Sequence, residues 1–240
     1  MIPLRDENPT ELTPYFTILL ILLNLAAWVV LQGAGSPQVL EGSVFDFGSV
    51  PCEITGACAT EGLGRTSLLT SIFMHGSWGH LIGNMVFLWV FGNNIEDSMG
   101  HLRFVAFYLL CGVAASAAHI LLAPTSEIPM VGASGAISGI MGGYVLLYPR
   151  VRVHTWVPPI FFLDLPAWFL LGYWFFLQLG MGILNLGPAM ADQGGVAVWA
   201  HVGGFVAGIL LIKLFEKKRL SEAKRHKVKL SRDEVADLEW

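Results

Sequence analysis

Gly132-Ala133-Ser134-Gly135-Ala136-Ile137-Ser138-Gly139-Ile140-Met141-Gly142-Gly143 carries no charge and opens an apolar run that ends at Tyr148. At helical spacing Gly135, Gly139 and Gly143 share one face, and Ser134 and Ser138 fall on the next. Glycine at every fourth position lets neighbouring backbones approach closely, which is how helices pack in lipid. A lone serine in such a helix most often packs, its hydroxyl bonded to a backbone carbonyl. The polar residues on other apolar segments change that reading.

The 240-residue chain is 54% hydrophobic and only 13% charged, against about 25% charged in soluble domains. Of its 14 Lys and Arg, nine lie from Lys213 onward. This is the composition of a polytopic membrane protein whose core is made by spans packing on one another. The net charge of -4 changes sign from segment to segment and says little about partners. No basic face with interleaved aromatics points to nucleic acid. The first apolar run is long enough to span and has no convincing cleavage site, so no cleavable signal peptide is expected.

Six spans are expected: Tyr15 to Leu31, Trp78 to Ile95, Phe104 to Ala123, Pro129 to Tyr148, a fifth started by Asp164-Leu165-Pro166 and running to Leu186, and Val196 to Leu214. The all-α class follows, a bundle of six transmembrane helices over residues 14–215. A short N-terminus, 1–13, and a charged tail, 216–240, flank it. Leu68 to Met74 is apolar but short, and suits the interface rather than a crossing. An even span number puts Arg5, Arg103, Arg150, Arg152 and the basic tail on one side, leaving Arg65 alone on the other. The positive-inside rule makes that side the cytoplasm, for a multi-pass protein of the cell membrane with both termini inside. Cys52 and Cys58 then face the oxidising compartment, where a disulfide and two free thiols are both open.

Polar groups in lipid are costly, so each needs a reason. His80 and Asn84 share a helix face on the second span, Ser134 starts the fourth, and His201 starts the sixth, followed by Gly203, Gly204 and Gly208. All four sit at similar depth on the outer side. His75 and His119, taken singly, read as interfacial histidines. No HExxH or CxxC pattern occurs, so neither a metal nor a cofactor is expected. Nucleophilic catalysis uses all four residues. His201 can be the base that takes the Ser134 proton. His80, Asn84 and the Ser134 backbone N–H can then donate to the oxyanion of a tetrahedral intermediate.

These residues resemble the rhomboid family of intramembrane serine proteases. Gly132-Ala133-Ser134-Gly135 is similar to the family's GxSG motif, and Ala200-His201 with Gly203, Gly204 and Gly208 to its sixth-span histidine motif. His75, His80 and Asn84 resemble its second-span pattern, and Asn93 to Asp97, Gly100 to Phe104 and Leu165 to Trp168 also resemble stretches of bacterial members. The resemblance implies a Ser134–His201 dyad, with Asn84, His80, Ser134 and Gly132 around the oxyanion, in a cavity open to the outside. It implies single-span transmembrane protein substrates, entering from the lipid past the fifth span and the loop before the sixth. It also implies cleavage near the outer face, preferably after a small residue where the helix unwinds easily. The resemblance leaves the oligomeric state open.

Two positions depart from the family pattern. A tyrosine expected four residues after the nucleophile is Ser138, so another ring or a serine hydrogen bond must orient His201. A first-loop Trp-Arg pair is Thr66-Ser67, with Arg65 close by. The tail from Glu216 to Trp240 reads as a solvated, partly helical extension, with Lys217-Lys218-Arg219 beside anionic lipid. A catalytically silent relative that binds transmembrane clients is the alternative. A transporter ranks last, because no acid lies mid-span.

Overall fold

The computed structural model describes residues 1–184, 197–226, 228 and 230–239. The helices in chain order are α1 (Tyr15–Val30), α2 (Pro37–Phe47), α3 (Pro51–Thr55), α4 (Ser67–Thr70), α5 (Trp78–Phe87), α6 (Asn93–Met99), α7 (His101–Leu122), α8 (Ser134–Leu147), α9 (Ala167–Leu184), α10 (Val198–Phe215), α11 (Lys218–Arg225) and α12 (Arg232–Leu238). A π-helical turn, Leu88–Gly92, joins α5 to α6, so helical backbone runs unbroken from 78 to 99. Among the described residues α7, α9 and α10 are long and apolar enough to cross a membrane, while α1 and α8 are apolar but shorter. The protein is a helical membrane bundle.

Helix α8 stands at its centre, buried at every residue from Gly135 to Tyr144. It can be that enclosed because its glycines meet backbone. A Cβ on Gly204 would lie 2.1 Å from the Gly135 carbonyl oxygen, and one on Gly208 would lie 1.9 Å from that of Gly139. Thus α8 and α10 touch backbone to backbone, the close approach that the glycine spacing suggests. Phe91, Phe104, Phe107, Tyr108, Ile140 and Tyr144 fill the surrounding core with no exposed surface.

Several boundaries differ from those expected. The fourth span was placed from Pro129, but α8 begins at Ser134. Residue Met130 instead pairs antiparallel with Ser49, and Gly132, at φ +124°, donates its N–H to the Ser71 carbonyl. The long first loop thereby captures the strand-like lead into α8, and the helix cannot start earlier. Residues Asp164-Leu165-Pro166 do not start the fifth span. They end β3 (Phe161–Pro166), which pairs with β2 (Arg152–Val157), which pairs in turn with β1 (Ile2–Asp6) in an antiparallel sheet. Proline is tolerated there because β3 is an edge strand. The β1–β2 pairing joins residues some 150 positions apart, so local periodicity carries no sign of it, whereas β2 and β3 form a local hairpin. The loop before α10, part of the expected lateral entry, lies outside the described residues.

The tail is partly helical, as expected, but it docks through a few residues instead of being wholly solvated. On α11, Leu220 and Ser221 are buried, and the Lys224 ammonium lies 2.6 Å from Asp97 Oδ2, with both side chains 3% exposed. Asp97 also accepts the Glu11 and Leu12 N–H groups, so one carboxylate ties the N-terminal segment, α6 and the tail together. Burial pushes the Lys224 pKa down and the Asp97 charge opposes it. Its neighbour Glu96 accepts the Phe16 and Thr17 N–H groups and the Thr17 hydroxyl, and lies 2.6 Å from His101 Nδ1. Cys52 and Cys58 form a disulfide, and Cys111 is a buried free thiol.

Candidate active site

Helix α8 puts Ser134 at its first position, where the backbone N–H has no intrahelical acceptor and the helix dipole favours negative charge. Helix α10 carries His201 one turn in, and the Gly135–Gly204 contact holds the two helices together beside it. Ser134 Oγ lies 2.7 Å from His201 Nε2. Residues 67 apart in sequence therefore meet in a hydrogen bond, with His201 8% exposed and Ser134 half-buried.

The second-span residues come to the same place. Ser77 Oγ accepts the His80 N–H and so caps α5, fixing where the helix begins. His80 Nδ1 accepts the Gly76 N–H at 3.4 Å, which leaves the proton on Nε2. That edge of the ring packs on Gly132: a Cβ there would lie 2.8 Å from His80 Cε1 and Nε2 and 3.5 Å from Asn84 Nδ2. The side chain that would block His80 and Asn84 is absent because residue 132 is glycine, which also permits its positive φ. His80, Asn84, Gly132, Ser134 and His201 thus converge on one site.

His75 does more than its interfacial reading allowed. It is fully buried, and its Nε2 lies 3.0 Å from Asn84 Nδ2. An amide nitrogen has two hydrogens, so one can bond His75 and hold the side chain while the other faces the site. His75 is itself held by Gln32, whose Oε1 accepts its N–H and whose Nε2 donates to its carbonyl, each at 2.8 Å. Backbone pairing at Ser49 and Ser71, with the Gln32 side chain on the His75 backbone, anchors the first loop, which carries Thr66-Ser67 in place of the family's Trp-Arg pair.

Ser138 does not reach His201. It is buried, and its hydroxyl donates to the Ser134 carbonyl at 2.6 Å. The groups against His201 come from α9. The Trp174 ring lies 5.6 Å away at a 40° tilt, and Gln178 Oε1 lies 2.9 Å from His201 Nδ1. Sequence reading missed both. The available signal was one amide in an otherwise apolar 18-residue helix, since polar groups in lipid mark function. A cavity of about 30 Å³ adjoins Ser134, lined in part by Ala115, Ser116, Ala136 and Ala200. A larger open hollow between Phe45 and Thr125 includes none of these residues.

A serine hydroxyl bonded to an imidazole, beside clustered donors at a helix N-terminus inside a membrane bundle, is an arrangement that can support acyl transfer. Residues 64–218 match the family model described as Rhomboid domain, and the chain belongs to that family. It is 28% identical over 163 residues to Rhomboid protein 1, mitochondrial, of Saccharomyces cerevisiae, covering 65% of this chain and 44% of that protein. It is 31% identical over 147 residues to RHOMBOID-like protein 5 of Arabidopsis thaliana, covering 61% and 43%. It is 32% identical over 139 residues to Rhomboid protease GluP of Bacillus subtilis, covering 57% and 26%. The chain spans less than half the length of each of these relatives.

Proposed function

We propose that this protein is an intramembrane serine endopeptidase that cleaves single-span transmembrane proteins near the outer face of the cell membrane. The observation that carries the reading is the 2.7 Å contact between Ser134 Oγ and His201 Nε2, with His80, Asn84 and Gly132 gathered beside it. Family membership supports it, as does a relative whose name is that of a protease.

Ser134 Oγ attacks the scissile carbonyl carbon while His201 Nε2 takes the hydroxyl proton. The carbonyl oxygen gains the negative charge and accepts hydrogen bonds from the Ser134 N–H, Asn84 Nδ2 and His80 Nε2, within the field of the α8 N-terminus. As the C–N bond breaks, His201 returns the proton to the leaving amine. Water then attacks the acyl-serine ester with His201 again as base, releasing the acid and restoring the hydroxyl. The cavity beside Ser134 admits one water or a small side chain, which fits cleavage after a small residue. An intact helix hides its carbonyls in its own hydrogen bonds, so substrates are expected to unwind easily at the cut.

In this reading residues 14–215 form the six-span domain with both termini in the cytoplasm, segment 1–13 precedes it, and 216–240 docks beneath it. Ser134→Ala and His201→Ala should each abolish cleavage of a model single-span substrate in liposomes, while melting stays near that of the parent. A fluorophosphonate should label the parent at Ser134. Cleavage by Ser134→Ala at the parent rate would remove the proposal, and a folded parent that neither cleaves nor labels would favour a client-binding protein.

A further inference from the structure

We infer that Gln178 is the positioning residue of the base, fixing the His201 tautomer in place of the acidic third member of a serine-protease triad. The inference rests on the protease reading above. Gln178 is 9% exposed, and its Oε1 lies 2.9 Å from His201 Nδ1, while Nε2 of the same ring lies 2.7 Å from Ser134 Oγ. The two ring nitrogens are thus divided between two helices, α9 and α8.

That division decides the chemistry. His201 can accept the serine proton only if Nε2 holds a lone pair, which requires the ring proton on Nδ1. An acceptor at Nδ1 enforces this tautomer, and the amide oxygen is an acceptor. Were the amide reversed, its NH2 would face Nδ1 and push the proton onto Nε2, where it blocks the serine. Trp174, one turn earlier on the same face of α9, packs on the imidazole and limits its rotation. When His201 is charged in the transition state, the Nδ1–H bond to Gln178 strengthens, so the contact favours the transition state over the ground state.

A neutral acceptor suits the site. A carboxylate within the bundle would be costly to bury, whereas an amide oxygen supplies the same geometry without a charge. The titratable side chains near His201 on other helices are the imidazoles of His80 on α5 and His119 on α7, which carry charge only when protonated. Apart from Tyr144 and Tyr173, α8 and α9 carry no titratable side chain, and α10 carries no other before Lys213.

The test compares the full-length parent with Gln178→Leu, Gln178→Glu and the lipid-facing control Leu177→Ala in liposomes. Cleavage is read as kcat and KM across pH, with fluorophosphonate labelling of Ser134. Gln178→Leu should lower kcat and the labelling rate about 10- to 100-fold, the effect of losing a hydrogen bond to a charged group, with KM unchanged. Gln178→Glu should keep activity and move the acid limb of the pH–rate profile upward by about one unit or more, because a carboxylate at Nδ1 favours the imidazolium. A side chain needed only for packing would leave that limb in place.

Parent-like labelling by Gln178→Leu overturns the inference, as does an unmoved acid limb in Gln178→Glu. If Gln178→Leu melts early, the acid limb of Gln178→Glu decides alone. A parent that neither cleaves nor labels instead overturns the protease reading beneath it.

Discussion

Replacing Gly208 by alanine should part the two halves of the site without touching either. A Cβ at 208 would sit 1.9 Å from the Gly139 carbonyl oxygen, where ordinary contact begins at 3.4 Å. Helices α8 and α10 must therefore separate locally by about 1.5 Å, because the obstacle is backbone and cannot rotate away. His201 is seven residues back along α10, about 10 Å by helix geometry. If half of the separation reaches it, the 2.7 Å contact with Ser134 opens to about 3.5 Å, the limit of a hydrogen bond. Overpacking of this kind costs about 1–3 kcal/mol in stability, and an ångström of misplacement costs about 100-fold in rate. Gly172→Ala is the control, since a Cβ at 172 meets nothing within 4 Å. It should match the parent or melt slightly higher, as alanine favours a helix by about 1 kcal/mol over glycine. The assays are thermal melting in detergent, substrate cleavage in liposomes and the rate of fluorophosphonate labelling. Parent-like cleavage and labelling by Gly208→Ala would refute the claim that backbone contact between α8 and α10 sets the distance between serine and histidine.

Cleavage should fall as acid protonates His201, since the charged ring accepts no proton; burial in the bundle disfavours that charge, so the loss belongs well below the range of a free histidine, and activity undiminished to about pH 3 would exclude His201 as the base. Lys224→Met leaves the Asp97 carboxylate buried with only the Glu11 and Leu12 N–H groups, and should cost up to about 3 kcal/mol, read as a lower melting temperature and faster proteolysis of the tail. An unchanged melt would mean that the tail does not dock. Asp6 accepts hydrogen bonds from the Tyr144 hydroxyl and Asn94 Nδ2, and burial raises its pKa above the ordinary carboxylate value. The folded chain then holds that proton more tightly than the unfolded one, so the Asp6 contribution is greatest below about pH 3.9 and is lost as pH rises through the folded value. Asp6→Asn should therefore gain melting temperature relative to the parent between pH 4 and pH 7, and a gap that does not change with pH would contradict this.

Much of the site is legible in the sequence because its signals are local. Glycines at 135, 139, 204 and 208 state that helices meet closely, and a serine and a histidine beside them state what chemistry the meeting permits. His80 and Asn84, four apart, must share a face whatever surrounds them. The roles of His75 and Gln178 are harder to read. Each acts through a partner on another segment, His75 through Gln32 and Asn84, Gln178 through His201. An isolated amide in an apolar helix says that a partner exists but not which one.

The sequence by itself determined a chain committed to lipid, its apolar segments, and the serine, histidine and asparagine that their spacing sets near the ends of those segments. Those follow from hydropathy and helical period, which act within a few turns. Only the tertiary structure decided that α8 starts at Ser134 rather than Pro129, because Ser49 captures Met130 and Ser71 captures Gly132. It also decided that α9 holds the imidazole through Gln178, that Lys224 is drawn under the bundle by Asp97, and that the first residues form a sheet with 152–166. Each is a pairing of groups from 23 to about 150 positions apart. Burial makes such pairings necessary, since an unmatched polar group is costly there. Which partner answers is settled by the packing of the whole chain.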